Sequence, residues 1–365
     1  MKVAFPYMGT TVIYKKLLEL LGNQVVTPPK PSQRTIDLGV KYSPEFACFP
    51  LKVITGSYIE AIEKGADTLV TSGGNGPCRA GFYEKVHRRI LEEEGFDADF
   101  IVFNSPYLDW NNFIKNAKKI KGDTSVFKVV SSLKTVFYMI KKLDDLEKRV
   151  QKIRAYEVTK GQTTKVWEDI QSIFDKAYTK KEVQRAYIES MVLLDKIKTK
   201  EVKEDKRLRI GIVGEIYVVM EPTINIKMEE MLGNLGVEVE RSQYLYDWVC
   251  YSTLSKMPLI NKTHEKKIVE LGEEYIPINI GGHARQSVGH IVDYHNRGFD
   301  GVIHLMPFGC LPELVTQSII PKISNELDIP VLSLSLDEQT GVANTLTRVE
   351  AFVDLIKGKK RKKIS

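Results

Sequence analysis

The chain has 365 residues, which exceeds one ordinary domain and suits two at roughly 150 residues per domain. A hydrophobic fraction of 43% is enough for packed cores, and a charged fraction of 27% is ordinary for a globular protein, so dominant disorder is excluded. No apolar run approaches the ~20 residues of a membrane-spanning helix, and the first residues lack the apolar core and cleavage site of a signal peptide. We therefore expect a cytoplasmic protein that does not associate with a membrane.

The positive charge of the chain is concentrated at one end. The net charge is +6, and six basic residues lie between positions 357 and 363, so the rest of the chain is neutral. A neutral body argues against nucleic-acid binding, which needs a concentrated basic patch on folded structure. We expect the basic run to be a solvated, frayed tail.

The first hundred residues alternate between apolar strands and helices of 10 to 15 residues, a pattern that predicts βαβ units and a mainly parallel sheet. The predicted strands are Val3–Tyr7, Gln24–Val26, Thr68–Thr71 and Asp99–Phe103. The predicted helices are Thr10–Leu21, Leu51–Lys64 and Ala80–Glu94.

The middle of the chain shows no strand pattern between residues 110 and 206, and its apolar residues recur at spacings of three and four. We predict helices there, with a charged connector at 196–207. A coiled-coil dimer is an alternative, but the regular apolar stripe spans few heptads.

The strand–helix alternation then restarts. The predicted strands are Leu208–Val213, Val237–Glu240, Val302–Leu305 and Pro330–Leu334. The predicted helices are Thr223–Leu235, Arg285–Asn296, Glu313–Leu327 and Asn344–Lys357, the last ending before Gly358. The chain is thus predicted to be α/β, with two doubly wound lobes and a helical segment between them. The predicted boundaries are 1–110 for the first lobe, 111–206 for the helices and connector, 207–358 for the second lobe and 359–365 for the basic tail. A cleft between the lobes is the expected place for a ligand.

Three of the four cysteines share one local setting. Cys48, Cys78 and Cys310 each lie in a loop rich in Pro or Gly, directly before a predicted helix. Proline is well tolerated in a first helical turn, so all three thiols should lie at helix N-termini, where free N–H groups and the helix dipole favour a thiolate. Such loops cluster at the carboxyl edge of a doubly wound sheet.

Several uses of these thiols are open from the residues alone. Each cysteine could be a small buried filler, although Gly/Pro loops are unusual places for one. A dithiol redox pair would not require three, and a structural zinc site usually shows paired C-x-x-C ligands, which are absent from the sequence. Iron–sulfur clusters normally take four cysteine thiolates. By inference, three thiolates suit a [4Fe–4S] cluster in which one iron has no protein ligand and is open to a substrate or another external ligand. Cys250 lacks the Gly/Pro setting and is predicted to be structural.

The sequence resembles the 2-hydroxyacyl-CoA dehydratase / benzoyl-CoA reductase superfamily, specifically its small D-component relatives related to CoA-protein activases. The stretches that carry the resemblance lie in both lobes: Glu45–Pro50, Gly73–Cys78, Gly214–Tyr217 with Glu221-Pro222, Gly282–Ala284 and Pro307–Glu313.

This resemblance implies two Rossmann-like domains and an oxygen-sensitive [4Fe–4S] cluster between them, with Cys48, Cys78 and Cys310 as its ligands. It also implies electrons from a separate ATP-hydrolysing activator, and a homodimer or a related second subunit. Some relatives hold a double-cubane cluster, which would need further thiolates from Cys250 or a partner chain. The sequence has no Gly-rich phosphate loop, so it is not the activator itself.

Polar residues at predicted strand ends and helix starts complete the candidate site. Glu215 follows the strand that ends at Val213, and His283 follows two glycines at a predicted helix start, so both are candidate catalytic groups. The structural alternative for His283 is a surface or hydrogen-bonded core histidine. For Glu221, before Pro222, it is helix capping. His304 lies in mid-strand and is predicted to be structural.

Two functions are therefore carried forward. The first is an iron–sulfur protein of anaerobic metabolism that passes low-potential electrons to a small substrate or a partner, as a component of an ATP-dependent reductase or of a 2-hydroxyacyl-CoA dehydratase. The second is a non-catalytic two-lobed cluster carrier or assembly protein.

Overall fold

The computed structural model describes residues 1–74, 76–254 and 264–364, and it contains two four-stranded parallel sheets, each flanked by helices. Contacts divide these residues into two units. The first comprises Met1–Ile140, Phe174–Val183 and Ile280–Gly282, and the second comprises the rest. The predicted α/β fold with two Rossmann-like lobes is confirmed.

The first unit begins with alternating strands and helices. Its strands are β1 (Lys2–Ala4), β2 (Gln24–Val25), β3 (Thr68–Ser72) and β4 (Asp99–Phe103). Its first five helices are α1 (Val12–Leu20), α2 (Gln33–Tyr42), α3 (Phe49–Glu63), α4 (Tyr83–Glu93) and α5 (Trp110–Lys121). A 3₁₀ turn at Arg79–Phe82 precedes α4.

The strand order of the first sheet is β2-β1-β3-β4, with every pair parallel. Strand β2 pairs with one edge of β1, and β3 pairs with the other edge of β1. The chain thus changes direction across the sheet after β2, which makes a topological switch point between β1 and β3. Apolar side chains from the strands and from α1 and α5 form a core under this sheet: Val3, Phe5, Leu18, Leu21, Ile101 and Ile120.

Three long helices follow, namely α6 (Val126–Tyr156), α7 (Gln162–Asp175) and α8 (Lys180–Asp195). The residues predicted as a separate helical segment are helical, and contacts assign part of them to each unit. The charged connector contains a 3₁₀ turn at Glu204–Lys206.

The second unit repeats the arrangement of the first. Its strands are β5 (Leu208–Gly214), β6 (Val237–Arg241), β7 (Gly301–Pro307) and β8 (Val331–Leu336), in the order β6-β5-β7-β8 with every pair parallel. Its helices are α9 (Ile216–Met220), α10 (Met228–Asn234), α11 (Leu245–Leu254), α12 (His264–Glu273), α13 (Ala284–Asn296), α14 (Leu311–Leu327) and α15 (Val342–Ile364).

Each unit also contains a pair of helices that cross in backbone contact through glycines. A Cβ on Gly56 of α3 would lie 1.9 Å from the carbonyl oxygen of Thr35 in α2, and a Cβ on Gly289 of α13 would lie 1.9 Å from that of Ile268 in α12. Only glycine fits such approaches. The shared strand order and the shared glycine crossings indicate that the two units are versions of one architecture.

The C-terminal helix is longer than predicted. We expected a helix that ends before Gly358 and a frayed basic tail, but α15 continues to Ile364. The Lys359 ammonium donates to the carbonyl oxygen of Asp328 at 2.6 Å, and the Lys360 ammonium lies 2.9 Å from a carboxylate oxygen of Asp300. These contacts pair basic side chains that would otherwise repel one another. Among the described residues, no helix combines the length and hydropathy required to cross a bilayer.

The glycine crossing of α2 and α3 yields a stability prediction. Gly56→Ala should lower the free energy of unfolding by about 1–3 kcal/mol, because the added methyl group forces the two helices apart. Gly358→Ala is the control, since nothing lies within 4 Å of a Cβ there and alanine is a better helix former than glycine. Thermal and urea unfolding of both variants would measure the effect. Equal stability of the Gly56→Ala variant and the native chain would contradict the close backbone contact between α2 and α3 at Gly56.

Candidate functional site

Cys48 begins the helix that leads into β3. It is the N-cap residue of α3, and Pro50 occupies the first turn, where a missing N–H costs no hydrogen bond. Helix α3 ends at Glu63, shortly before β3 starts, so its C-terminus lies near the beginning of that strand. At 1.5 Å per residue the helix is about 22 Å long, so its N-terminus lies at the opposite, carboxyl edge of the sheet. The Cys48 side chain is buried, and its Sγ lies 2.7 Å from the hydroxyl of Tyr83.

Cys78 lies in the loop that follows β3, next to the switch point of the first sheet. It is the N-cap residue of the 3₁₀ turn at Arg79–Phe82, and its carbonyl oxygen accepts a hydrogen bond from the N–H of Gly81 at 3.2 Å. The Arg79 guanidinium donates to the carbonyl oxygen of Phe46 at 3.0 Å. Together with the contact between Tyr83 and Cys48, this hydrogen bond ties the Cys78 turn to the Cys48 loop.

A glycine packs directly on Cys78. A Cβ on Gly281 would lie 2.8 Å from the backbone nitrogen of Cys78 and 3.2 Å from its Cβ, and Gly281 has a φ of +75°. Both the close approach and the left-handed backbone require glycine. His283, a candidate catalytic residue, follows two positions later in the chain.

Histidine 87 holds α4 against the start of α3. Its buried Nε2 lies 3.2 Å from the carbonyl oxygen of Leu51, and its ring meets that of Tyr83 edge-on. Burial lowers the pKa of the imidazole to about 4, so His87 is neutral at physiological pH and donates from Nε2. This contact fixes the base of the turn from which Tyr83 reaches Cys48.

The second unit carries Cys310 at the equivalent of the Cys78 position, in the loop after β7. Cys310 is buried and is the N-cap residue of α14, with Pro312 in the first turn. Its N–H donates to the carbonyl oxygen of Pro307 at 3.1 Å, and its own carbonyl oxygen accepts from the N–H of Leu314 at 3.0 Å. The structure therefore places all three candidate ligands at N-cap positions, as the sequence predicts.

Glu215 follows β5 and caps α9. One carboxylate oxygen accepts hydrogen bonds from the backbone N–H groups of Tyr217 and Val218, at 3.0 and 3.2 Å. The pKa of Glu215 is raised to about 7, chiefly by burial and to a smaller extent by the nearby charge of Glu313, against the two backbone donors that lower it. A carboxyl group that is partly protonated at neutral pH can donate or accept a proton.

His283 directly precedes α13, and in the first unit Cys48 holds the corresponding position before α3. It is the N-cap residue of α13, and its side chain is half-buried. Burial lowers the pKa of the imidazole, while the carboxylates of Glu313 and Glu265 oppose this change. The same carboxylate, Glu313, thus acts on both candidate proton-handling groups of this unit.

Sequence reasoning missed the role of Glu313. Its fully buried side chain lies in the first turn of α14, 2.8 Å from Nε2 of His304 and 3.1 Å from the hydroxyl of Ser287. His304 was predicted to be structural, and it is buried and hydrogen-bonded in β7. The sequence signal that could have indicated Glu313 is its position, the third residue of the helix that follows Cys310. An acidic side chain there is stabilised by the positive end of the helix dipole.

Two further residues have local structural partners. Glu221 is fully buried and accepts hydrogen bonds from the N–H and hydroxyl of Thr223. Thr223 lies in a turn, because the helix predicted over Thr223–Leu235 begins only at Met228, so Glu221 caps this turn and not that helix. Cys250 lies within α11, and burial raises the pKa of its thiol, which disfavours a thiolate.

No disulfide joins any of the four cysteines, all of which lie in the part of the chain that the structure describes. Within that same part, no group of three or more histidine, cysteine, aspartate or glutamate side chains is arranged so that it could hold a metal ion.

The sequence model of the family described as 2-hydroxyglutaryl-CoA dehydratase, D-component, matches residues 10–356. The chain belongs to this family. The match to the D-component family includes both units, and therefore all three N-cap cysteines together with Glu215 and His283. A comparison with curated proteins gives no match. The predicted resemblance to the 2-hydroxyacyl-CoA dehydratase superfamily is confirmed.

The raised pKa of Glu215 predicts a pH-dependent contribution to stability. The folded pKa of about 7 lies above the ordinary value of 4.5, so the stabilisation is present below pH 4.5 and is lost as the pH rises to about 7. Glu215→Gln keeps an oxygen for capping but does not ionise. Relative to this variant, the native chain should lose about 1–2 kcal/mol of unfolding free energy across that interval, after allowance for solvent screening.

Unfolding midpoints of both proteins, measured from pH 4 to pH 8, test this expectation. Groups that titrate in both chains cancel in the difference between them. Curves that stay parallel over the whole range would show that Glu215 has an ordinary pKa.

Proposed function

We propose that the chain is an iron–sulfur protein that binds a [4Fe–4S] cluster through the thiolates of Cys48, Cys78 and Cys310 and passes low-potential electrons to a small substrate or a partner. The observation that carries this proposal is the shared N-cap position of the three cysteines. Membership of the D-component family adds to it.

The donor set fits such a group chemically. Each thiol belongs to the N-cap residue of a helix or 3₁₀ turn, the end towards which the backbone N–H groups of the first turn point. Thiolates are the usual protein ligands of iron–sulfur clusters, and N–H groups near sulfur offset the negative charge of a cluster. When bound, a cluster with three protein thiolates supplies one-electron chemistry at low potential and an iron with one position open to an external ligand.

The residues of this chain would perform the remaining tasks. Cys48 and Cys78 are held relative to each other by the Tyr83 and Arg79 contacts, so two of the three ligands are positioned before any ligand binds. Gly281 allows the backbone of a second segment to approach Cys78 closely. Glu215 and His283 would hold or move protons, because burial raises the pKa of Glu215 to about 7 and lowers the pKa of the His283 imidazole.

The partners in this proposal follow from the family. We propose that a separate ATP-hydrolysing activator delivers the electrons, and that a related second subunit or a second copy of the chain completes the assembly. The reaction would be that of a component of an ATP-dependent reductase or of a 2-hydroxyacyl-CoA dehydratase.

Iron and sulfide content tests the ligand assignment. The native chain, purified without oxygen and reconstituted with iron and sulfide, should bind about four irons. Cys48→Ser, Cys78→Ser and Cys310→Ser should each lose most of that iron, because a hydroxyl is a poor ligand for a cluster of this kind. Cys250→Ser is the matched control and should keep the full content.

Two results would contradict the assignment. One is a reconstituted native chain without iron, and the other is full iron content in all three serine variants. Loss of iron from Cys250→Ser alone would transfer the site to α11. Unfolding midpoints of the metal-free variants would show that a loss of iron does not reflect a loss of fold.

A further inference from the structure

Cys48 begins α3, but its side chain does not cap that helix. A side chain at an N-cap position usually accepts from the N–H of the second or third helical residue. In α3 the second residue is Pro50, which has no N–H, and the N–H of the third, Leu51, donates to the backbone carbonyl oxygen of Cys48 at 3.0 Å. Within the described part of the chain, the Cys48 side chain accordingly makes no capping hydrogen bond. The dipole of α3 still favours negative charge at this sulfur, but a direct donor to it comes from a different element.

The hydroxyl group of Tyr83 lies next to the Cys48 sulfur. The hydroxyl oxygen is 2.7 Å from Sγ, although the two residues are 35 positions apart in the chain. A phenol O–H is a good hydrogen-bond donor, whereas a thiol S–H is a weak donor and a thiolate can only accept. The hydroxyl is therefore the donor in either form of the sulfur. It stabilises the thiolate more than the thiol, because hydrogen bonds to a charged group are the stronger ones.

The Tyr83 ring is held by the interior of the first unit. Tyr83 is the first residue of α4, and its ring meets that of His87 with the centroids 5.7 Å apart. The His87 ring also meets the ring of Tyr58 in α3 edge-on, at 5.2 Å. Nε2 of His87 lies 3.2 Å from the carbonyl oxygen of Leu51, in the first turn of the helix that Cys48 begins. The ring that carries the hydroxyl thus packs on a residue bonded to the same turn as the sulfur, so little side-chain freedom is lost when the hydrogen bond forms.

The chain before Tyr83 is bonded to the loop before Cys48. Arg79, four positions earlier, donates from its guanidinium to the carbonyl oxygen of Phe46 at 3.0 Å. Arg79 and His87 therefore connect the two sides of Tyr83 to the two sides of Cys48. With both sides held, the distance between the hydroxyl and the sulfur is fixed by the fold.

We propose that Tyr83 is a positioning residue for Cys48, whose hydroxyl donates a hydrogen bond to the sulfur, fixes the direction of the side chain and favours its thiolate form. This hydrogen bond belongs to the metal-free chain. The inference rests on the proposed function only in the role of Cys48 as a cluster ligand, because a donor beside a ligand sulfur would also offset the negative charge of a cluster.

The test is the pH dependence of Cys48 alkylation in the metal-free, reduced, full-length protein. Iodoacetamide reacts with the thiolate, and mass spectrometry follows the modification of each cysteine from about pH 6 to about pH 9.5. Without the hydroxyl, the Tyr83→Phe variant should hold less Cys48 thiolate at a given pH, but that thiolate should be more nucleophilic. Cys48 should therefore react about threefold more slowly than in the native chain at the acidic end and about threefold faster at the alkaline end, so that the two profiles cross.

Two controls are matched to this variant. Cys250 should keep its native profile in Tyr83→Phe. Tyr246→Phe removes a tyrosine hydroxyl that is hydrogen-bonded to Cys250, and it should leave the profile of Cys48 unchanged. An unchanged Cys48 profile in Tyr83→Phe would overturn the proposal. So would a change by the same factor at every pH, because Tyr83 would then only limit the access of the reagent.

A second measurement keeps the Tyr83 side chain, so that a poorly folded Tyr83→Phe does not remove the test. With tyrosine labelled with carbon-13 at Cζ, the Tyr83 resonance should shift over the pH range in which Cys48 becomes reactive, and Cys48→Ala should abolish that shift. A Tyr83 resonance without the shift, or a shift that persists in Cys48→Ala, would also overturn the proposal. All these measurements are made without iron, so their outcome is independent of whether the three cysteines hold a cluster.

Discussion

Because every strand pair in both sheets is parallel, the loops that follow the strands all emerge at one edge, and the helices that return to the next strand begin at that same edge. This constraint determines where reactive groups can be placed. Cys78, Glu215 and Cys310 follow the strands β3, β5 and β7, whereas Cys48 and His283 begin the returning helices α3 and α13. A side chain at any of these positions also receives the N–H groups of a helix or turn start, which favour negative charge.

The two units use this shared architecture for different chemistry. The first unit has Cys48 at the start of the second helix of a glycine-crossed pair, and the second unit has His283 at the corresponding position. After the strand at the switch point, the first unit has Cys78 and the second has Cys310. In our proposal the first unit supplies two thiolates, and the second supplies one thiolate together with the groups that handle protons.

Much of this arrangement was predictable from the sequence because it depends on local signals. Apolar strands alternating with helices predicted both sheets, and the Pro and Gly residues around the cysteines predicted their N-cap positions. Helices α2 and α12 were missed, although α2 has a local signal in the capping box of Ser32 and Thr35. The glycine contacts that pack both helices against their neighbours leave no local pattern. The C-terminal helix passes Gly358 because Lys359 and Lys360 find partners that are distant in sequence.

The role of Glu313 was not predictable for a similar reason. A histidine in the middle of a strand gives the same sequence pattern whether it only packs in a core or is hydrogen-bonded to a carboxylate, as His304 is to Glu313. Only the register of β7 and β8 shows that Ser333 and His304 are neighbours. The separation in sequence between these residues exceeds the range of any local rule.

The central claim, that three thiols distant in sequence share one group of irons, is tested most directly by differential alkylation. The protein would be treated with iodoacetamide under anaerobic conditions, with and without prior reconstitution, and modification at each cysteine would be measured by mass spectrometry. The account predicts that reconstitution protects Cys48, Cys78 and Cys310 together, while Cys250 reacts at an unchanged rate. Unchanged reactivity of the first three cysteines after reconstitution would contradict it.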